Sequence, residues 1–390
     1  MPNKQRRILI LSEIISPYRI PVFNALGRDG ALDLHVVFLS ETDAGLRQWR
    51  VYKDEIRFSY EVLPSARIRR PKGSLLLNWR LRTSLENFAP EAIICGGYNY
   101  PAAWEALWWA KNHGVEMILW SESNRHDTRS GRGLVESMKS YFLSRCDRFV
   151  VPGTSAREYL EMLGAEGRQI TIAPNAIDNE WFRGQAQAIR EDSSKFRVEF
   201  GLPSRFLLFS GRLVSEKGVF DLLDAYAKLA VDVRSQVDLV FAGDGASKQE
   251  LERLARKIRP GTVHFPGFQQ REQLAGFYAL AEALILPTHS DPWGLVVNEA
   301  MACGLPVIVS EVAGCAVDLV EDGWNGYVVA ARDTEALADT IHRLATDSQV
   351  RGKMGANSLK RIQNFSPKIC AEGLASAALA RASEVQWMTA

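Results

Sequence analysis

Short apolar runs bounded by turn residues recur along this chain, each followed by a stretch of helical composition, and that alternation restricts the fold more than any other feature. In the first half the runs are Ile8–Ser12, Leu34–Leu39, Ile93–Cys95, Met117–Trp120, Phe149–Val151 and Ile170–Ala173. In the second they are Phe206–Ser210, Val237–Phe241, Val263–Phe265, Ala283–Leu286, Val307–Val309 and Tyr327–Val329. Continuously apolar runs fit strands buried on both faces, and strands separated by helices pair in parallel. Helices are expected near residues 20–26, 75–85, 102–111, 134–143 and 156–163, and near 219–229, 248–257, 273–280, 296–302, 334–344 and 351–362. The stretch Pro174 to Ser204, with PNAID, a polar charged run and Gly201-Leu202-Pro203, reads as a linker. The expectation is an α/β chain of two Rossmann-like domains facing each other across a cleft. Residues 1–185 form the first, 186–366 the second, and a last helix at 367–390 is expected to cross back to the first.

Composition narrows the functional classes. With 390 residues, 46% apolar and 24% charged, the chain has material for two ordinary cores. A formal net charge of +1 gives no global field for nucleic acid, so none is expected as a partner and anion binding must be local. Cys95, Cys146, Cys303, Cys315 and Cys370 are scattered and form no CxxC pair, which argues for reduced thiols in a cytoplasmic setting and against structural zinc. The N-terminus reads as a first strand, not a signal peptide, and no stretch approaches a membrane span. The turn after the first strand, Glu13 to Tyr18, has no glycine, and no G-x-x-x-x-G-K-[ST] occurs. Dinucleotide and P-loop chemistry are therefore not expected.

Chemistry-bearing residues gather at the ends of strands in the second half. Ser210-Gly211-Arg212-Leu213-Val214-Ser215-Glu216-Lys217-Gly218 places two cations at a helix start, which suits a diphosphate, although a solvated turn would look the same. Gly243 and Gly245, in AGDG, would let a ligand approach the backbone; a plain tight turn is the competing reading. Phe265 and Gly267, in FPGF, could flank a flat base, or surround a core phenylalanine. In PTHSDPWGLVVNEAMACGLPVIVS, Asp291 and Glu299 straddle a helix start whose amides at Gly294, Leu295 and Val296 would face phosphate or sugar oxygens. Glu299 could accept from ribose hydroxyls and Asp291 from those of a sugar. Capping and dipole roles, each about 1 kcal/mol, are the alternative. Placement of all these loops at strand C-termini of one domain favours a ligand site.

With these motifs in view, the chain resembles the retaining family-4 glycosyltransferases of GT-B architecture. GRLVSEKG, AGDG, FPGF, the D-x7-E within DPWGLVVNEAMACGLPVI, PNAID and the helix after FSP carry the likeness. The resemblance implies a nucleotide-diphosphate sugar as donor substrate, no further cofactor, and transfer to a hydroxyl with retention at the anomeric carbon. Arg212 and Lys217 would hold the diphosphate, Glu299 the ribose, and Asp291 would stand where the family usually has the first glutamate of E-x7-E. No Asp-x-Asp metal anchor occurs, so no metal is expected. His126, in the loop Ser121–Asp127, is carried over as a residue near the transferred sugar, with plain exposure as the competing reading. Ser16-Pro17-Tyr18-Arg19 would line the acceptor side. The acceptor implied is a saccharide or lipid-linked saccharide, in cell-surface polysaccharide, lipopolysaccharide or glycolipid assembly. Rival activities on the same architecture are sugar-nucleotide 2-epimerisation and non-catalytic binding. Basic residues Arg67, Arg69, Arg70, Lys72, Arg80 and Arg82 around Leu75–Leu77 and Trp79 suggest a surface resting on anionic lipid at the inner face of the cell membrane, or an amphipathic helix packing its leucines inward.

Overall fold

The computed structural model describes residues 4–380 except 44, 46, 71–72 and 127–132. The chain divides into two compact units, Met1–Asn175 with Pro367–Ala390, and Ala176–Ser366. The division falls before the expected break at residue 185.

The first unit is built on β1 (Arg6–Ser12), β2 (Leu32–Phe38), β3 (Ser59–Val62), β4 (Ser65–Arg70), β5 (Gly73–Asn78), β6 (Ala92–Cys95), β7 (Glu116–Trp120), β8 (Arg148–Val151) and β9 (Ile170–Ile172). All but β4 and β5 form one parallel sheet in the order β3-β2-β1-β6-β7-β8-β9. Ile8, Leu9, Ile93, Ile94, Met117, Ile118 and Val150 are wholly buried, because helices cover both faces of their apolar strands. The last helix, Pro367–Leu379, returns to this unit and packs on the helix Arg19–Leu26 and on β8 and β9. Small residues allow the fit: a Cβ on Gly373 would lie 2.6 Å from the Ile172 carbonyl oxygen. Arg148 Nη1 donates to the Ala377 carbonyl at 2.9 Å.

The second unit is built on β10 (Phe206–Ser210), β11 (Asp238–Ala242), β12 (Val263–Gly267), β13 (Leu284–Leu286), β14 (Val307–Ser310) and β15 (Gly326–Val329). Its sheet runs β12-β11-β10-β13-β14-β15, wholly parallel. The order reverses between β10 and β13, and ligands of doubly wound sheets bind at that switch point, outside the strand C-termini.

Two expectations are corrected. The helix expected from residue 75 starts only at Leu81, and the segment before it is the antiparallel hairpin of β4 and β5. Leu76 is fully buried while Ile68 and Trp79 are exposed, which is one-sided sheet packing. The run Arg70-Pro71-Lys72-Gly73 was the available turn signal; Pro71 and Lys72 lie outside the described residues. The expected linker holds two helices, Asn179–Glu191 and Ser193–Phe200. Asp178 caps the first, accepting from the Trp181 amide at 3.0 Å, and Phe182 and Ala186 are buried from it.

All five cysteines are buried thiols outside any disulfide. Among the described residues, no helix is long and apolar enough to cross a membrane.

Candidate functional site

The loop after β10 and the loop after β13 meet at the switch point of the second unit. Lys217 closes the short turn Ser215–Lys217, and its ammonium donates to Asp291 Oδ2 at 2.5 Å. Both side chains are largely enclosed, 13% and 14% exposed. Arg212 is exposed and forms no ion pair among the described residues. The sequence therefore placed two cations on this loop, and the structure gives one of them a carboxylate partner 74 residues away. Asp291 also accepts from the Trp293 amide at 3.3 Å, in the turn before the helix Leu295–Ala302. The helix begins after Gly294, and Asp291 braces both the turn that leads into it and the lysine.

Gly294 has φ +99°, and a Cβ there would come within 2.9 Å of the Leu286 side chain and 3.7 Å of Asp291 Oδ2. Leu295 and Val296 are half-buried in the first helical turn. Glu299, in the second turn, is wholly buried, and its Oε2 accepts from the Tyr278 hydroxyl at 2.6 Å. In this conformation it offers no surface to a ligand.

The glycines of the β11 loop make a contact that the sequence did not show. A Cβ on Gly243 would lie 1.8 Å from the Gly211 carbonyl oxygen, and one on Gly245 2.4 Å from that of Leu213. The neighbouring backbone by itself already demands glycine here. Hydrogen bonds from Gly211 N to Ala242 O at 3.1 Å and from Leu213 N to Asp244 O at 2.9 Å seal the two loops together. Gly218 makes the same kind of approach: at φ +67°, its Cβ would sit 1.9 Å from the Pro287 carbonyl oxygen.

Phe265 stacks on Phe241, with centroids 5.5 Å apart and planes at 7°. β12 is two strands from β10, roughly 10 Å at ordinary strand spacing. The structure thus gives Phe265 a core neighbour, and it does not bring Phe265 and Gly267 to the Lys217–Asp291 pair.

In the first unit, His126 lies half-buried in the loop after β7. Its Nε2 accepts from Arg125 Nε at 3.0 Å, and its amide donates to Asn124 Oδ1 at 2.9 Å; Asp127 lies outside the described residues. Arg19 stacks 3.9 Å over the Trp120 ring and bonds to Glu122. Burial lowers its pKa to about 10. Arg67, expected in a lipid-facing patch, instead turns to Asp43 at 2.8 Å and Glu13 at 3.2 Å, while Arg82 pairs with Glu86 at 2.8 Å. Trp109 is buried, and Trp108 is 58% exposed.

Sequence reasoning missed Thr288, His289, Asp221 and Tyr278. His289 Nε2 lies 2.5 Å from Asp221 Oδ2, and the Thr288 hydroxyl lies 3.0 Å from the Glu216 carbonyl oxygen. The only prior signal was the position of Thr288 and His289 after an apolar strand; Asp221 and Tyr278 lie on the helices Val219–Lys228 and Arg271–Leu280 and gave none.

Two doubly wound units, the second with a cation–carboxylate pair at its switch point, define the GT-B class of architecture. The family model for glycosyl transferases group 1 matches residues 191–361, and the chain belongs to that family. It is 34% identical over 298 residues to the alpha-D-kanosaminyltransferase of Streptomyces kanamyceticus, covering 74% of this chain and 76% of that protein. It is 30% identical over 214 residues to the D-inositol 3-phosphate glycosyltransferase of Xylanimonas cellulosilytica, 54% of this chain and about half, 51%, of that relative's length. The fold matches a crystal structure of Anabaena HepE in complex with UDP and glucose, with TM-score 0.74 and 17% identity over 95% of this chain and 99% of that one. At that identity the likeness is one of fold.

Proposed function

We propose that this protein transfers a sugar from a nucleotide-diphosphate sugar to a hydroxyl acceptor with retention of configuration, using no protein-bound metal. The observation that carries the reading is the Lys217–Asp291 pair at the switch point of the second unit, with exposed Arg212 on the same loop. Family membership and the UDP and glucose held by the HepE structure support the donor class.

In this reading the diphosphate sits against Arg212, Lys217 and the first amides of the helix Leu295–Ala302. As the bond from the anomeric carbon to the diphosphate oxygen breaks, negative charge grows on that oxygen. Fixed cations and amide dipoles stabilise it without rearranging. Lys217 is held in place beforehand by Asp291, so the arriving diphosphate shares an ammonium already oriented. Asp291, freed in part from the lysine, is placed to accept hydroxyls of the donor sugar. The departing phosphate takes the acceptor proton on the same face, which makes a separate protein base unnecessary. Glu299, wholly buried beside Tyr278, reaches a ribose only when its surroundings open. His126 stands near the transferred sugar in this reading, and the Ser16–Arg19 turn belongs to the acceptor side. A saccharide or lipid-linked saccharide acceptor, used in the cytoplasm for cell-surface glycan assembly, is the setting we infer from the resemblance; the hairpin β4–β5 supplies its lipid contact only through Arg69 and its neighbours, because Arg67 is occupied.

The test is product analysis with UDP-sugars and simple glycoside acceptors. Transfer with an unchanged anomeric configuration and no added divalent ion is expected. Epimerised donor formed without acceptor would replace the reading with isomerisation, and absence of turnover over a broad panel would leave a binding protein.

A further inference from the structure

The segments 216–221 and 287–291 are joined by a ladder of contacts, of which the Lys217–Asp291 pair is one rung. The His289 amide donates to the Glu216 carbonyl at 2.8 Å. At the far end, His289 Nε2 lies 2.5 Å from Asp221 Oδ2, with side chains 19% and 23% exposed. A carboxylate only accepts, so Nε2 carries the proton. Asp221 stands in the first turn of the helix Val219–Lys228, directly after Gly218, whose backbone presses on Pro287. From the other side, the Ser310 hydroxyl at the end of β14 donates to the Thr288 carbonyl at 2.5 Å.

We propose that His289 is a positioning residue for the donor site: its bond to Asp221 fixes the 287–294 loop against the helix after Lys217, so that Asp291, two residues on, meets Lys217 before any ligand arrives. The inference rests on the proposed donor site. On its far side the loop's backbone is tied to the segment after β14, the Asp291 carbonyl accepting from the Gly314 amide at 3.0 Å; toward the Lys217 turn it is tied through the His289 amide and the Thr288 hydroxyl, both on the Glu216 carbonyl. Those bonds on the Lys217 side all end on one carbonyl, and the imidazole adds an attachment to a different element, the helix that begins after Gly218. Positioning errors of about 1 Å at a reacting group can cost on the order of 100-fold in rate, so such a brace has a kinetic consequence.

The test compares full-length His289→Ala, His289→Gln, Asp221→Ala and the double alanine variant by hydrogen exchange of the 288–296 amides and by steady-state kinetics. His289→Ala is expected to raise exchange in that segment and donor KM by roughly tenfold, with acceptor KM within about twofold. His289→Gln, which keeps an N–H donor, should recover most of both. The double variant should be no worse than the worse single one, as expected for partners in one interaction. Unchanged exchange in His289→Ala, or additive losses in the double variant, overturns the proposal. If His289→Ala does not fold, Asp221→Ala and His289→Gln decide it by the same exchange readout. Failure of the wild-type protein to transfer any sugar would sink the proposed function, while the exchange cycle would still judge the brace.

Discussion

The two sheets share a strand pattern around their switch points but finish it with different chemistry. In the second unit the loops after β10, β11 and β13 press backbone on backbone, and Gly218, Gly243 and Gly245 stand where any Cβ would collide with a carbonyl oxygen. In the first unit the turn after β1 has no glycine. Its loops after β1 and β2 share backbone hydrogen bonds, Ser40 N to Glu13 O at 2.9 Å and Ile15 N to Glu41 O at 3.2 Å, but what distinguishes them is added side-chain closure: Arg67 to Glu13 and Asp43, and Arg19 over Trp120 and to Glu122. Backbone-to-backbone closure tolerates few sequences and fixes atoms to fractions of an ångström. Side-chain closure can be rebuilt with other residues. In the proposed reading, a donor handled by its diphosphate, common to many sugars, suits the first solution, and an acceptor particular to one protein suits the second.

Lys217→Ala gives the largest expected break in this contrast. It removes a fixed cation from the donor loop, and transfer should fall on the order of 100- to 1000-fold in rate assays while circular dichroism stays native. Retained activity would mean that the switch point of the second unit is not the reacting site. Next comes a matched pair of glycines, Gly218 at φ +67° and Gly114 at φ +66°. Gly114→Ala meets nothing within 4 Å and costs only the left-handed backbone penalty, about 1–2 kcal/mol. Gly218→Ala must also displace the Pro287 carbonyl, adding about 1–3 kcal/mol. Equal denaturation midpoints for the two would remove the claim that backbone contact defines the donor loops.

Tyr278→Phe should cost about 1–3 kcal/mol in urea unfolding, since it strips a donor from the buried Glu299 carboxylate. If it instead lowers donor KM, the hydroxyl is competing with a ligand for Glu299. The smallest expected effect lies at alkaline pH and in the first unit. Burial raises the Cys95 thiol to about 12 and that of Cys370 to about 11, from an ordinary value of 9.0. Between those limits the folded chain holds protons that the unfolded chain has released, so stability present below about pH 9 declines as pH rises toward 11 and 12. Thermal melts across that range, compared with Cys95→Ala, measure the slope; a flat profile would show the thiols to be open to solvent.

Much of the fold was legible because buried parallel strands advertise themselves as apolar runs. Each expected strand has a counterpart, from Arg6–Ser12 to Gly326–Val329. The hairpin at 65–78 escaped because its Leu75-Leu76-Leu77 run fits a helix as well as a strand until the partner strand is known. The helix Asn179–Glu191 escaped because a polar run hides a narrow buried stripe, Phe182 and Ala186. At the site, Arg212, Lys217 and Asp291 could be singled out by type and by their place after apolar strands. The glycines nearby could be singled out too, but not the backbone contact they make, since a chain's own backbone and a ligand both ask for the missing Cβ.

Local periodicity lies in neighbouring residues, so this sequence alone determined the doubly wound class and the family. Strand order then decided which distant side chains meet. Lys217 and Asp291 are 74 residues apart, and Asp221 and His289 are 68 apart, yet each pair is in contact. They meet because β10 lies beside β13, a neighbour fixed by the hydrogen-bonded sheet and not by any residue near either loop. Whether Lys217 waits alone or already held by a carboxylate was settled there.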